Sequence, residues 1–411
     1  MSPSQSYCSA AMTEPALSSP RIVHPALVMF ALAMGAFAIG TAEFASMSLV
    51  PFFAADLRIS EPQAGHAISA YALGVVVGAP VIAVLAAKIA RRTLLVGLMA
   101  LFAIGNGLSA TAPSYHALLL FRFLAGLPHG AYFGIAALMA ASLVAENKRA
   151  QSVALVMSGL TVATIIGVPV ANLLGQIMGW RYGFGIVALL AMLTMALVAL
   201  YAPQQPAAEG ASPLRELGAL RRPQVLLTLL TGAVGFGGLF CVYTYVASTM
   251  LEITHVSPKL VPVVLMVFGV GMTVGNLFWA WLSDRRQNLA AIAALLWSAI
   301  ALAAFPLVAG NVWLLAIDIL LIGFGGGLGS VLQTRLMDVA GDAQALAAAA
   351  HHSAFNTANA LGPWLGGLAI AGGYGLRSTG LIGAALSLGG LAIFLVTINL
   401  HRRETLQPLT A

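Results

Sequence analysis

The chain has 411 residues, 60% of them hydrophobic and 8% charged, with a mean hydropathy of +0.94 and a net charge of +6. A soluble domain carries roughly 25% charged residues, so this composition excludes a water-soluble globular protein and makes lipid the solvent for most of the chain. Apart from Arg122, the nineteen Lys and Arg residues fall one to three at a time at the ends of apolar runs. They form no basic stripe or aromatic-interleaved patch, which excludes a nucleic-acid partner.

Residues 1–24 contain Ser, Pro and Thr, with no Lys or Arg before Arg21. A secretory signal needs a basic start and a short apolar core, so this stretch reads as a disordered cytoplasmic tail. Apolar runs long enough to cross a bilayer as helices follow at 25–50, 64–87, 93–111, 115–142, 151–177 and 182–202. Residues 203–223 interrupt them with Pro203, Pro206, Gly210, Pro213 and Pro223 among charged residues, and read as a cytoplasmic linker. Six more runs lie at 224–250, 259–282, 289–309, 311–333, 345–371 and 378–400, before a short cytoplasmic tail at 401–411. The reading is an all-α membrane protein of twelve transmembrane helices, with an N-terminal six-helix bundle at 25–202 and a C-terminal one at 224–400.

With the N-terminus inside, fourteen of the basic residues lie on the cytoplasmic side and four outside. That bias sets the orientation, with both termini cytoplasmic. The halves also repeat. Gly74 and Gly78 reappear as Gly271 and Gly275, each 197 residues on, and Pro169 and Gly179 as Pro363 and Gly373, each 194 on. Such a 6+6 pseudo-repeat, related by an axis along the membrane normal, is one design of secondary transporters. The prolines permit bends and the glycines allow close helix approach, so Gly74, Gly78, Pro169, Gly271, Gly275 and Pro363 are expected at helix-packing positions.

Two charges lie inside apolar runs, Glu43 in the first and Arg122 in the fourth. A charge within a bilayer is costly and rarely persists without a partner or a task. Counted from the run ends, both sit roughly 10 Å below the outer surface, so they are at matching depth for a pair. Burial disfavours a carboxylate's charge and a nearby arginine favours it, so Glu43 is positioned to gain and lose a proton as access switches. The alternative is a static ion pair orienting the first and fourth helices. His129 follows Arg122 by two helical turns and joins Glu43 and Arg122 as a proton-coupling candidate. Tyr71, Tyr132, Phe240, Tyr243, Tyr245 and Asn356 are the candidates for lining a substrate cavity, with packing as the alternative. Asn172, Asn276 and Asn359 are expected to hydrogen-bond across helices. Asp318 and the pair His351 and His352 are expected at the membrane interfaces. Cys8 and Cys241 offer no disulfide framework, no residue spacing marks a metal site, and no Walker A pattern is present, so no cofactor is expected.

Four stretches resemble the major facilitator superfamily, and more narrowly its drug:proton antiporter branch of arabinose-efflux-permease-like and inner-membrane drug-efflux transporters. They are Gly40-Thr41-Ala42-Glu43-Phe44, Leu120-Phe121-Arg122-Phe123-Leu124-Ala125-Gly126, Gly159 through Gly167-Val168-Pro169, and Gly275 through Asp284-Arg285-Arg286. The resemblance spans about residues 25–400. It implies the major facilitator fold, a bacterial inner-membrane location, a monomer, and proton-coupled export of a small amphipathic or sugar-like molecule by alternating access. It also implies gating loops at Lys88, Arg91 and Arg92 and at Asp284, Arg285 and Arg286. The first of these departs from the family pattern, with Ala87 where the acidic residue is usual. The rival readings are a facilitator or importer of the same fold, a channel, and a membrane-embedded transferase. The last would need clustered metal-binding carboxylates that the loops lack, so no enzyme is expected.

Overall fold

The computed structural model describes residues 24–85, 88–145, 148–206, 222–340 and 344–406, and all regular structure among them is helical. The tail before His24, most of the linker and the last five residues lie outside the described residues, as does Ala87. The first half holds α1 (Pro25–Ser48), α2 (Val50–Leu57), α3 (Glu61–Leu85), α4 (Arg91–Ala110), α5 (Tyr115–Gly126), α6 (His129–Ser142), α7 (Arg149–Val162), α8 (Val168–Met178) and α9 (Trp180–Tyr201). The second holds α10 (Pro223–Gly235), α11 (Gly237–Glu252), α12 (Val261–Val308), α13 (Val312–Gly325), α14 (Leu328–Ala340), α15 (Gln344–Ala369) and α16 (Ser378–Leu406).

Nine stretches among the described residues are long and apolar enough to span a bilayer. One of them, Pro258–Val308, contains two of the sequence runs, and α3 and α15 supply the remaining two spans. The large apolar side chains on the periphery, such as Leu307, Ile177, Leu277 and Ile300, are more than 70% exposed, a surface that only lipid solvates.

Several runs are less regular than their sequences imply. The fourth breaks at Leu127-Pro128 into α5 and α6, because Pro128 cannot donate to the helical ladder. The fifth widens to a π-helical turn at Ala163–Gly167 just before Pro169, whose missing N–H would have reached back into that turn. Pro363, by contrast, sits inside α15 without ending it. The expected loop at Asp284-Arg285-Arg286 is reduced to a kink, where two helical stretches meet at Arg286, with φ −149° and ψ 73°. The expected C-terminal tail likewise begins as the last turns of α16.

The repeat is physical as well as textual. Gly74 and Gly78 of α3 abut the carbonyl oxygens of Phe123 and Leu127, and Gly126 abuts that of Tyr71. The same three contacts recur 197 residues on, with Gly271 and Gly275 against Leu320 and Phe324, and Gly323 against Phe268. A Cβ on Gly275 would overlap the Phe324 carbonyl oxygen, so the α12–α13 seam has no room for one. Gly275→Ala is therefore expected to cost roughly 1–3 kcal/mol by forcing two backbones apart. Gly97→Ala in α4, where nothing lies within 4 Å, is expected to stay within about 1 kcal/mol of wild type. Thermal melting of both variants in detergent, side by side, checks this contrast.

The halves meet where α3 and α6 pack on α15, α1 on α11, and α8 with the preceding π turn on α12.

Candidate functional site

Arg122 is fully buried on α5 and held by neutral and aromatic groups of the first half. Its Nη1 donates to Asn106 Oδ1 at 3.1 Å and its Nη2 to Ser46 Oγ at 3.3 Å. The guanidinium lies over the Tyr71 ring at 4.3 Å and over Phe184 at 4.9 Å, the faces a desolvated cation prefers. Asn106 spends its own amide hydrogens on the Phe102 carbonyl at 2.9 Å, which leaves its oxygen for the arginine. Tyr71 Oη also hydrogen-bonds His129 Nδ1 at 2.9 Å, so the first four spans share one network.

Glu43, 2% exposed on α1, does not enter that cage by its carboxylate. The direct pair expected from matching depth is absent among the described residues. Ser46, one helical turn on, accepts from Arg122 and donates to the Glu43 backbone carbonyl at 2.9 Å, so cation and acid are linked through it. The carboxylate instead accepts from Asn359 Nδ2 of the second half at 2.8 Å. The sequence could not reveal this partner, which lies 316 residues away.

Glu43 forms part of the wall of a cavity of about 210 Å³ between the halves. The first half contributes Glu43, Phe44, His129, Phe133, Thr161 and Thr164. The second contributes Thr273, Asn276, Ser330, Gln333, His351, His352 and Phe355. No Lys or Arg is among the lining residues. Phe133 and His352 stack across the interface, with centroids 5.2 Å apart and planes at 5°.

Most lining residues come from the central part of the bundle and from the half of it toward the basic end, which carries Lys88, Arg91, Arg92, Arg285 and Arg286. The far end is fastened by contacts between halves. Phe44 packs against Phe240, Tyr243 and Phe268, Ser69 Oγ donates to the Ala360 carbonyl at 2.9 Å, and Gln176 Nε2 donates to the Pro258 carbonyl at 2.9 Å. On the first half's own far rim, Asp56 takes hydrogen bonds from Arg181 and Trp180, and these hold its carboxyl below the usual carboxylate range.

The six residues expected to line the cavity are all off its wall. Tyr71 lies under Arg122, Tyr132 donates to the Leu32 carbonyl at 2.8 Å, and Tyr245 donates to the Pro363 carbonyl at 2.9 Å. Phe240 and Tyr243 form the aromatic layer around Phe44, and Asn356 donates to the His352 carbonyl at 3.0 Å. Each is large and fully buried, or satisfied by a backbone partner, as packing side chains are. Of the proton-coupling candidates, Glu43 and His129 reach the cavity and Arg122 lies behind it.

At the basic end Lys88 is exposed, Arg91 donates to Gln205 Oε1 at 3.1 Å, and Arg92 donates to the Ala199 carbonyl. Asp284 and Arg286 are exposed, and Arg285 lies over the Trp281 ring at 4.1 Å. His351 and His352, expected at an interface, stand in the cavity wall. Asp318, expected to reach headgroup water, is 4% exposed. Thr161, Thr164, Thr273, Ser330 and Gln333 carried no signal in the sequence, because hydroxyls and amides in apolar runs occur at any depth.

The comparisons with known proteins agree with this architecture. The sequence is 41% identical over 366 residues to the inner membrane transport protein YdhP of Escherichia coli (strain K12), covering 88% of this chain and 93% of that one. It is 36% identical over 332 residues to a chloramphenicol resistance protein of Streptomyces lividans, covering 79% and 84%. Among solved structures, a bacterial homolog of the human lysosomal transporter Spinster, in an inward-facing and unoccupied conformation, superposes with a TM-score of 0.72 at 15% identity, over 91% of this chain and 96% of that one. The sequence model of the Major Facilitator Superfamily matches twice, over residues 32–257 and 238–411, much as the doubled glycine seams divide the fold. A twice-matched family model and the relatives' close identity over most of the chain place the protein among membrane transporters rather than enzymes: the chain belongs to the Major Facilitator Superfamily.

Proposed function

We propose that the protein is a proton-coupled secondary exporter of the bacterial inner membrane. Its basic end faces the cytoplasm, and its two halves rock about the central cavity. The observation that carries this reading is Glu43, an acid buried in the cavity wall and bonded across the two halves. An acid in that place can meet the cavity from one side and respond to the position of the other half. Its proton and the cavity's contents then share one conformational equilibrium.

The wall chemistry suits a small, neutral or positively charged molecule. Hydroxyls, amides and imidazoles can hydrogen-bond its polar groups, Phe44, Phe133 and Phe355 can hold its apolar part, and no cation is present to receive a phosphate or carboxylate. The names of the relatives fit efflux of such compounds. Lys88, Arg91, Arg92, Asp284, Arg285 and Arg286 would meet and part at the cytoplasmic gate. Arg122, through Ser46, sets the field around Glu43, and the protein works as a monomer.

The test is uptake into energised inverted vesicles of a panel containing sugars, nucleosides, chloramphenicol and cationic dyes. Accumulation of one or more of them that collapses when the pH gradient is dissipated is the expected result. Downhill equilibration indifferent to that gradient would instead identify a facilitator.

A further inference from the structure

Resting on the proton role of Glu43, we propose that Asn359 is the residue through which the second half senses whether Glu43 carries a proton, and that this one contact latches the far end shut. Asn359 is fully buried on α15. Its Nδ2 donates to Glu43 Oε1 at 2.8 Å, while its own Oδ1, equally buried, has no donor. The next residue along, Ala360, accepts from Ser69 Oγ of α3, so this part of α15 is fastened to the first half at two adjacent positions.

A buried amide oxygen without a donor is costly, and a carboxylate has no hydrogen to offer it. A carboxylic acid does. An acid and a primary amide side by side satisfy each other with two bonds in a ring, N–H to the acid's carbonyl oxygen and O–H to the amide's. The ionised form has one charge-assisted bond, but it keeps a charge in an apolar layer and leaves Oδ1 unmet. The proton on Glu43 therefore favours the arrangement in which the far end is closed, and its departure loosens the tie between halves. In the cycle, a proton taken up from the far side would permit closure there. Its release toward the cavity would weaken the latch after the basic end has opened.

The other titratable or charged groups around Glu43 are Arg122 of α5, Tyr71 of α3, His129 of α6, and His351 and His352 of α15. From α11 comes Tyr243, packed on Phe44, while α7 and its π turn present Thr161 and Thr164, and α12 presents Thr273 and Asn276. Among these, Asn359 is the group shown bonded to the Glu43 carboxylate from the other half.

The experiment uses the full chain in liposomes, with Cys8 and Cys241 replaced by Ala and spin labels at Ala55 and Ser257, exposed far-end positions on opposite halves. The distance distribution is measured from acid to alkaline pH. Wild type is expected to populate the short, far-end-closed distance at acid pH and to lose it as pH rises. Glu43→Gln is expected to stay closed at every pH, because two amides can form the same two-bond ring. Asn359→Leu is expected to lose the pH dependence, with the closed-to-open ratio at acid pH reduced about tenfold. Asn359→Ser serves as the milder variant if the Leu protein does not fold. In the double variant Glu43→Asp/Asn359→Gln, one side chain shortens as the other lengthens, and the pH dependence is expected to return. A purely structural asparagine would not give that restoration. A wild-type pH profile in the Asn359 variants, alongside a pH-independent Glu43→Gln, would overturn the latch and leave the proton role standing. An unaltered profile in Glu43→Gln would instead remove the reading on which the latch rests.

Discussion

Replacing Glu43 by Gln is expected to leave a folded protein that no longer exports uphill. The substitution removes the titrating group but keeps its size and one hydrogen-bonding oxygen for Asn359. One pH unit across the membrane is worth about 1.4 kcal/mol per proton, so one-for-one exchange sustains roughly tenfold accumulation per unit. In the Gln variant accumulation above the external level should be lost, whatever the gradient. Inverted vesicles carrying equal amounts of each protein, with an imposed pH step, make the comparison. Accumulation by the variant at the wild-type ratio would remove Glu43 from the proton path and return it to a fixed structural element.

Arg122 is the second position where a large effect is expected, and here the side chain's shape matters as much as its charge. The guanidinium bonds Asn106 and Ser46 with two different nitrogens while covering two aromatic rings. A lysine ammonium is a compact charge that cannot spread over those partners. Arg122→Lys is thus expected to fold but to transport roughly tenfold more slowly, since Ser46 and hence the Glu43 turn lose their anchor. Arg122→Leu leaves Asn106 Oδ1 buried without a donor and opens a void beside Phe184. It is expected to cost about 3 kcal/mol of stability as well as coupling. Melting in detergent and vesicle transport separate the two effects. A Lys variant indistinguishable from wild type in both would show that only the charge is used.

The fold was legible because lipid imposes a strict pattern. Twelve apolar stretches and glycines recurring 197 residues apart can be read by eye, and the glycines turn out to be backbone seams in both halves. Glu43 and Arg122 stood out for the same reason, since charges are rare in such runs. Their partners did not stand out. Matching depth suggested that the two would pair, yet Arg122 found Asn106, Ser46 and two rings, while Glu43 found Asn359. Depth along a span says nothing about rotation around it, and rotation decides which neighbour a side chain meets. The tyrosines illustrate this: their spacing fits a cavity wall or a packed core equally well, and all four are packed. His351 and His352 were expected at an interface and stand in the cavity wall, because nothing in a single run shows how far the cavity extends toward the basic end.

The connectors described above carry one more consequence. Within the halves the chain reverses with almost no slack: Gly179 alone, at φ 104°, separates α8 from α9, and α12 turns back at Arg286. Spans tied so tightly, and seamed by backbone contacts, cannot slide past one another. Between the halves the sequence runs on for 21 residues, after Tyr201 and before Pro223. If the halves rock as proposed, that length matters, and a connector cut to a few residues is expected to impede transport without touching the cavity.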